Sequence, residues 1–266
     1  MSSTKPSNPV HCLVRAVPEN FASCLREDPV SIDREKAVAQ HEGYVSLLRQ
    51  HSKSLSFVPV PVGHADSVYI EDVAVVLDSH ALVTRPGAPS RRAETGGIAD
   101  ALRPFCTLHI TEAPALLDGG DVMRLGNELL VGLSQRTNIQ GFEKLQEVAH
   151  LDGIRAHALQ VKEGLHLKSA MTALDNRTII YDPAVMNPLE IADLSLTWLA
   201  APEPLGANVL VFGDVTIVSE DAPQTAKLLR QRGHPVETVQ VTELHKGDGA
   251  LTCLSLRIAA PDSWTV

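Results

Sequence analysis

The sequence predicts an α/β fold built as a closed or stacked array of one supersecondary unit, and three observations carry that expectation. Polar residues open similar segments at Asp66, Asp118, His166, Asn208 and Cys253, intervals of 52, 48, 42 and 45 residues. Each complete segment reads strand, turn, strand, and most continue into a helix. The turns are rich in Gly, Asn and Asp, as at Gly126-Asn127, Asp175-Asn176 and Gly213-Asp214, where tight connections favour residues that tolerate left-handed backbone. In a ring of such units equivalent positions converge on the axis, gathering two carboxylates, an imidazole and a thiol in one pocket. Polar residues at strand starts are also ordinary caps and turn formers. That suits Asn208 but does not explain why a His and a Cys fall in the same phase.

Taken in order, residues 1–9 are rich in Ser, Pro and Lys and read as a flexible tail. Val10–Val17 is an apolar strand ended by Pro18. Asp33 offers an N-cap for a helix to about Gln50, on which Val38, His41, Val45 and Leu48 recur at helical spacing and face a sheet. From Asp66 the first unit runs as a strand to Leu77, a turn at Asp78-Ser79-His80, a strand Ala81–Arg85, and a helix toward Leu102. The second unit places a strand at Glu128–Gly132, a loop at Ser134–Asn138 and a helix ending near Ala149. The third, from His166, shows no clear helix after Asp182. The fourth, from Asn208, has a helix Ala222–Arg232, and Cys253 begins a last strand.

With 266 residues and 44% hydrophobic content the chain can bury a large core, in one domain or two. A formal net charge of -9 opposes nucleic-acid binding, which gathers Lys and Arg on one face, and suits a cationic small substrate. No signal peptide is visible and no apolar run approaches the roughly 20 residues of a membrane span. Cys12, Cys24, Cys106 and Cys253 lack CxxC spacing, so neither a zinc site nor a disulfide framework is expected. A reducing cytoplasm fits best. HExxH and H-x-E with P-C-x-x-C are absent, which leaves zinc hydrolysis without support.

Cys253 follows the glycine-flexed Lys246-Gly247-Asp248-Gly249 and enters an apolar strand, a place where a thiol is held rigidly and still meets a ligand. It is equally a small hydrophobe in a core strand. A nucleophilic thiol needs a positive neighbour or a base. His166 can supply one, although a His between two leucines also suits a core. Asp118 in Leu117-Asp118-Gly119-Gly120-Asp121 can orient that imidazole. Asp66, Glu71 and Asp72 form a second carboxylate cluster; on a regular strand Asp66 and Asp72 face one way and Glu71 the other. Carboxylates converging on a pocket suit a planar guanidinium, and Arg91 beside Arg92, with Arg136, can fix a substrate carboxylate.

Six stretches together resemble the dimethylarginine dimethylaminohydrolase family: Asp66-Ser67-Val68-Tyr69-Ile70-Glu71-Asp72, Thr84-Arg85-Pro86-Gly87-Ala88-Pro89-Ser90-Arg91-Arg92, Leu117-Asp118-Gly119-Gly120-Asp121-Val122, Val131-Gly132-Leu133-Ser134-Gln135-Arg136-Thr137-Asn138, Gly164-Leu165-His166-Leu167-Lys168-Ser169 and Leu251-Thr252-Cys253. They run in order from about Val14 to Ile258. The residues around Asn20–Asp33 match loosely and Asp182–Leu205 hardly at all. The resemblance implies a single catalytic domain over 1–266 with the α/β propeller (pentein) of the guanidine-modifying superfamily, five ββαβ units around a central site. It implies hydrolysis of N-methylated arginines to citrulline and a methylamine, without cofactor or metal, by a monomer or homodimer acting on a small molecule, with no nucleic acid or membrane partner.

By the same resemblance Cys253 is the nucleophile, His166 the general acid and base, and Asp118 its orienter. Asp66, Glu71 and Asp72 bind the guanidinium side and Arg91 and Arg136 the α-carboxylate. Leu25 contacts substrate from a mobile lid, and Gly247 offers its main chain. Zinc held by Cys253 and His166 would inhibit. Two alternatives remain: an arginine deiminase-like hydrolase of another guanidine substrate, and a non-catalytic binding protein of the same fold.

Overall fold

The computed structural model describes residues 11–188 and 194–259; the expected tail 1–9 lies outside them. The chain begins with β1 (His11–Val14), α1 (Arg34–His51) and β2 (Ser54–Phe57). The Asp33 side chain accepts from the Lys36 N–H and caps α1, whose buried Ala37, His41, Tyr44, Val45 and Leu48 face inward. Then follow β3 (Ala74–Val76), β4 (His80–Val83), α2 (Ile98–Leu102), β5 (Thr107–Ile110), β6 (Val122–Leu125), β7 (Glu128–Leu133), α3 (Ile139–Leu151) and β8 (Arg155–Gln160). The second half has α4 (Leu167–Ala170), β9 (Met171–Ala173), β10 (Thr178–Tyr181), β11 (Thr197–Ala200), β12 (Leu210–Phe212), β13 (Val215–Ser219), α5 (Pro223–Gln231), β14 (Val236–Val239), α6 (Thr242–His245) and β15 (Leu256–Ile258).

These strands form five three-stranded sheets of one design. In each, the central strand is antiparallel to the strand before it and parallel to the strand after it. A parallel neighbour requires a crossover, and among the described residues a helix lies in four of the five crossovers. The fifth sheet is assembled from both ends of the described chain, β15 pairing with β1 and β1 with β2. The strand and helix expected near the N-terminus therefore complete the unit that Cys253 opens. The expected pentein propeller is the observed architecture.

Two expectations change. Asp66 does not open a strand: residues 66–73 are irregular and end in a 3₁₀ turn (Ile70–Val73). The carbonyls of Asp66 and Tyr69 accept from the Arg91 guanidinium and that of Ser67 from Arg15, so buried arginines take acceptors that a sheet ladder would have used. Cys253 likewise lies in a 3₁₀ turn (Leu251–Leu254), not in the following strand. After Asp182 the described residues form β11 and a 3₁₀ turn (Pro204–Ala207) without an α-helix; residues 189–193 lie outside the description.

The true phase is set by the strands β3, β6, β9, β12 and β15, beginning at 74, 122, 171, 210 and 256, intervals of 48, 49, 39 and 46 residues. A short turn precedes each one. Turn 70–73 touches turns 119–121 and 251–254, and α4 touches turns 119–121 and 204–207. Asn208 closes the circuit: its side-chain amide donates to the Lys168 carbonyl and the Thr252 hydroxyl, and its Oδ1 accepts from the Thr252 N–H. One cavity of about 260 Å³ is walled by residues of all five of these strands, so the sheets surround a common axis. Among the described residues apolar side chains pack in five clusters around the ring, and the axial cavity mixes apolar walls with Glu71, Arg124, Lys168 and Arg257.

Because Asn208 is buried and bridges two turns, Asn208→Ala is expected to destabilise the fold by about 2 kcal/mol, read as a lower urea midpoint at unchanged slope.

Candidate active site

Three of the five turns bring the expected catalytic groups to the centre. Asp118 precedes turn 119–121 and is fully buried; its Oδ1 accepts from the Gly87 N–H at 2.8 Å, and its Oδ2 lies 3.0 Å from His166 Nε2. Asp72 lies within its own turn, 70–73. Its Oδ1 accepts from the Gly120 N–H at 2.9 Å and lies 4.0 Å from His166 Nε2, while its Oδ2 pairs with Arg91 at 2.5 Å. Glycine at 120 is required by this approach: a Cβ there would stand 2.7 Å from His166 Nδ1 and 2.8 Å from Asp72 Oδ1. A Cβ at Gly119 would come 2.0 Å from the Glu71 carbonyl oxygen, so the paired glycines let two turns meet backbone to backbone.

Burial disfavours charge on His166, but Asp72, the hydrogen bond to Asp118 and the charge of Asp121 outweigh it and raise its pKa to about 9. The imidazole therefore carries a proton at neutral pH. Asp72 is the converse: burial opposes its charge, and His166 and Arg91 overcome that and hold it below the usual carboxylate range. Cys253 is half-buried, and desolvation together with the charges of Glu71 and Asp72 pushes its thiol up to about 12. At rest it is a neutral thiol. All four cysteines are free.

The outer residues divide into two groups. Asp66 is buried with its Oδ1 accepting the Leu25 N–H at 2.9 Å, which ties the stretch 20–33 over the site while the Leu25 side chain stays exposed. Asp248, at φ 57, accepts the Glu27 N–H and adds a second tie. Gly247 has no room for a side chain against the Tyr69 hydroxyl and the Cys24 sulfur. Arg136 keeps a buried Nη1 without a protein partner. By contrast most donors of Arg91 are used internally: it pairs with Asp72 and Glu94 and donates to two carbonyls. Glu71 is also partnered, by Lys168 at 2.6 Å and Arg257 at 2.8 Å through one oxygen, and its other oxygen is buried without a protein partner. Glu71, Lys168 and Arg257 line the axial cavity, which neither Cys253 nor His166 lines.

Asp72, Asp118 and His166 are the one group among the described residues whose ligand atoms lie close enough, within 4.8 Å, to hold a metal ion. Those atoms already serve backbone N–H groups, Arg91 and one another. Lys168, Arg257, Glu94 and Gly120 had no role assigned from sequence. Lys168 and Gly120 stood inside the quoted motifs, whereas Glu94 and Arg257 carry no local signal.

A family model described as arginine deiminase matches residues 105–199. A dimethylarginine dimethylaminohydrolase of Streptomyces coelicolor is 38% identical to this chain, over 85% of the chain and 88% of that protein. The chain belongs to the dimethylarginine dimethylaminohydrolase family. The Pseudomonas aeruginosa dimethylarginine dimethylaminohydrolase, solved as a cysteine-to-serine mutant complexed with citrulline, superposes with a TM-score of 0.88 at 27% identity, covering 94% of this chain and all of that one. The N-terminal domain of the cyanobacterial arginine dihydrolase ArgZ shares the fold at 16% identity, with a TM-score of 0.84 over 94% and 98% of the two chains.

Two outcomes follow from the packing and charges of this dimethylarginine dimethylaminohydrolase-family site. Gly120→Ala is expected to cut turnover about a hundredfold while the protein stays folded, since the added methyl displaces His166 and Asp72. Glu71→Gln removes a charge that raises the Cys253 pKa, so alkylation of Cys253 by iodoacetamide at neutral pH should be faster than in the wild type, as followed by peptide mass spectrometry.

Proposed function

We propose that this chain hydrolyses Nω-methylated arginines to citrulline and methylamine or dimethylamine, with Cys253 as nucleophile and His166 as proton carrier. The observation that carries this reading is the buried His166, kept protonated by Asp118 at 3.0 Å and by Asp72, in the turn cluster that also holds Cys253. A protonated imidazole can deliver the proton that a departing amine needs.

A guanidinium entering beside Cys253 brings a positive charge against the thiol, countering Glu71 and Asp72 and releasing the thiol proton to solvent. Asp72 holds the guanidinium plane, which replaces intrinsic reactivity by orientation. The thiolate attacks the central guanidinium carbon. The carbon–nitrogen bond to the methylated nitrogen breaks as that nitrogen takes the His166 proton, leaving an S-alkylthiouronium. The now neutral His166 accepts a proton from water as the hydroxyl adds to the same carbon; the carbon–sulfur bond breaks as the hydroxyl proton passes to the departing sulfur, and citrulline leaves. Asp66 takes the α-ammonium through its second oxygen, Leu25 and Gly247 enclose it from the lid side, and the unpartnered Arg136 Nη1 meets the α-carboxylate. Arg91 acts here chiefly on Asp72 and retains one Nη1 hydrogen for the carboxylate. A thiol that must stay reduced suits the cytoplasm, and neither nucleic acid nor a membrane is assigned as partner.

An arginine deiminase reading is favoured by the family model over residues 105–199. Citrulline release from asymmetric dimethylarginine, monomethylarginine and arginine, measured in parallel under reducing and chelating conditions, separates the two. Turnover of the methylated pair with little from arginine is expected; preference for arginine would move the protein to the deiminases. Cys253→Ser should abolish turnover, and a near-normal rate in that variant would overturn the nucleophile. His166→Gly should accumulate a covalent adduct visible in the intact mass.

A further inference from the structure

We propose that Asp121 is a positioning residue for this hydrolysis: its one buried carboxylate ties together the turn that carries His166, the backbone of Asp118 and the loop that carries Arg136. This rests on the functional reading above and extends it to a residue that touches none of the reacting atoms.

Asp121 is fully buried and all its bonds run to the site's own supports. Oδ1 accepts the Leu167 N–H at 2.9 Å, which fixes the peptide immediately after His166. Oδ2 accepts from the Ser134 hydroxyl at 2.6 Å and the Thr137 hydroxyl at 2.7 Å. Each hydroxyl passes the constraint on. Ser134 Oγ accepts the N–H groups of Arg136 and Thr137, and Thr137 Oγ1 accepts the Asp118 N–H at 3.1 Å. An apolar residue at 121 would leave two hydroxyls and a backbone N–H without this acceptor, and the three functional groups would lose their common reference point.

A second observation shows a place built for this carboxylate. On β7, a Cβ at Gly132 would lie 2.8 Å from Asp121 Oδ1 and 3.0 Å from Leu167 Cβ, so the strand admits the Asp121–Leu167 contact because it carries no side chain there. The charge acts as well as the geometry. His166 is faced by Asp72, Asp118 and Asp121, with Arg91 behind Asp72, and Asp121 contributes to holding the imidazolium.

Asp121→Asn keeps the shape and removes the charge and one acceptor. Two readouts are needed. In the unliganded proteins, NMR titration of the His166 imidazole should show its ionisation at lower pH in the variant than in the wild type. In turnover of monomethylarginine, kcat should fall about 10- to 100-fold with the alkaline limb moved the same way. A folded variant with both ionisation and kcat unchanged overturns the inference. Wild-type protein without activity overturns the hydrolase reading instead, and the NMR comparison still decides Asp121.

Should Asp121→Asn fail to fold, Ser134→Ala removes the link from Asp121 to the Arg136 and Thr137 N–H groups while the Thr137 hydroxyl keeps its own bond to Asp121. It should raise KM for monomethylarginine several-fold and leave KM for N-methylguanidine, which has no carboxylate, unaltered. Equal changes for both compounds, or none, overturn the inference.

Discussion

Three carboxylates, Asp72, Asp118 and Asp121, are buried around one imidazole, and the rest of the architecture answers to that concentration of charge. Carboxylates removed from water are costly unless each finds donors, and here each does. Backbone N–H groups of Gly87, Gly120 and Leu167, two hydroxyls, the Arg91 guanidinium and His166 itself supply them. Those donors sit on different turns, so satisfying the carboxylates and closing the ring are one requirement. The raised His166 pKa is the functional yield of the same arrangement. Groups that hold the fold's centre together also keep His166 protonated.

The ring explains why much was legible in the sequence and why particular details were not. Hairpin turns at Gly126 and Gly213 need left-handed backbone, and the sequence shows it. The Asp33 cap and the apolar stripe of α1 are local signals, and they placed that helix to within a residue or two. Cys253, His166 and Asp118 could be singled out from the sequence because each stands in or beside a short turn that precedes an inner strand. The errors arise where a distant partner overrides local pattern. Residues 66–73 read as the start of a strand that runs to Leu77, yet Arg15 and Arg91 draw their carbonyls away. Nothing near Ser67 or Tyr69 in the chain announces those arginines. Asp66 was set in phase with the other unit starts, but it stands eight residues before β3, whereas Asp118 stands four before β6 and Cys253 three before β15.

The two arginines assigned to one duty part company in space. Arg91 is enclosed by Asp72, Glu94 and two carbonyls, with Glu94 in turn beside the buried Arg15, whose Nη2 donates to the Glu94 carbonyl. Its planar fork suits that bidentate setting. Arg136 retains an unmet donor in the same region of the site. Sequence spacing cannot separate a guanidinium that stabilises a neighbour from one that waits for a ligand, because the difference lies in which acceptors surround it.

The sheet that closes the ring pairs β15 with β1, strands some 240 residues apart along the chain. During synthesis β1 emerges early and lacks its antiparallel neighbour until β15 has been made, the kind of non-local pairing that slows folding. The thiol precedes β15 by three residues. His166 and the carboxylates around it all precede residue 170 in the chain, while Cys253 takes its place beside them only when β15 shuts the circle, so the central cluster is completed last.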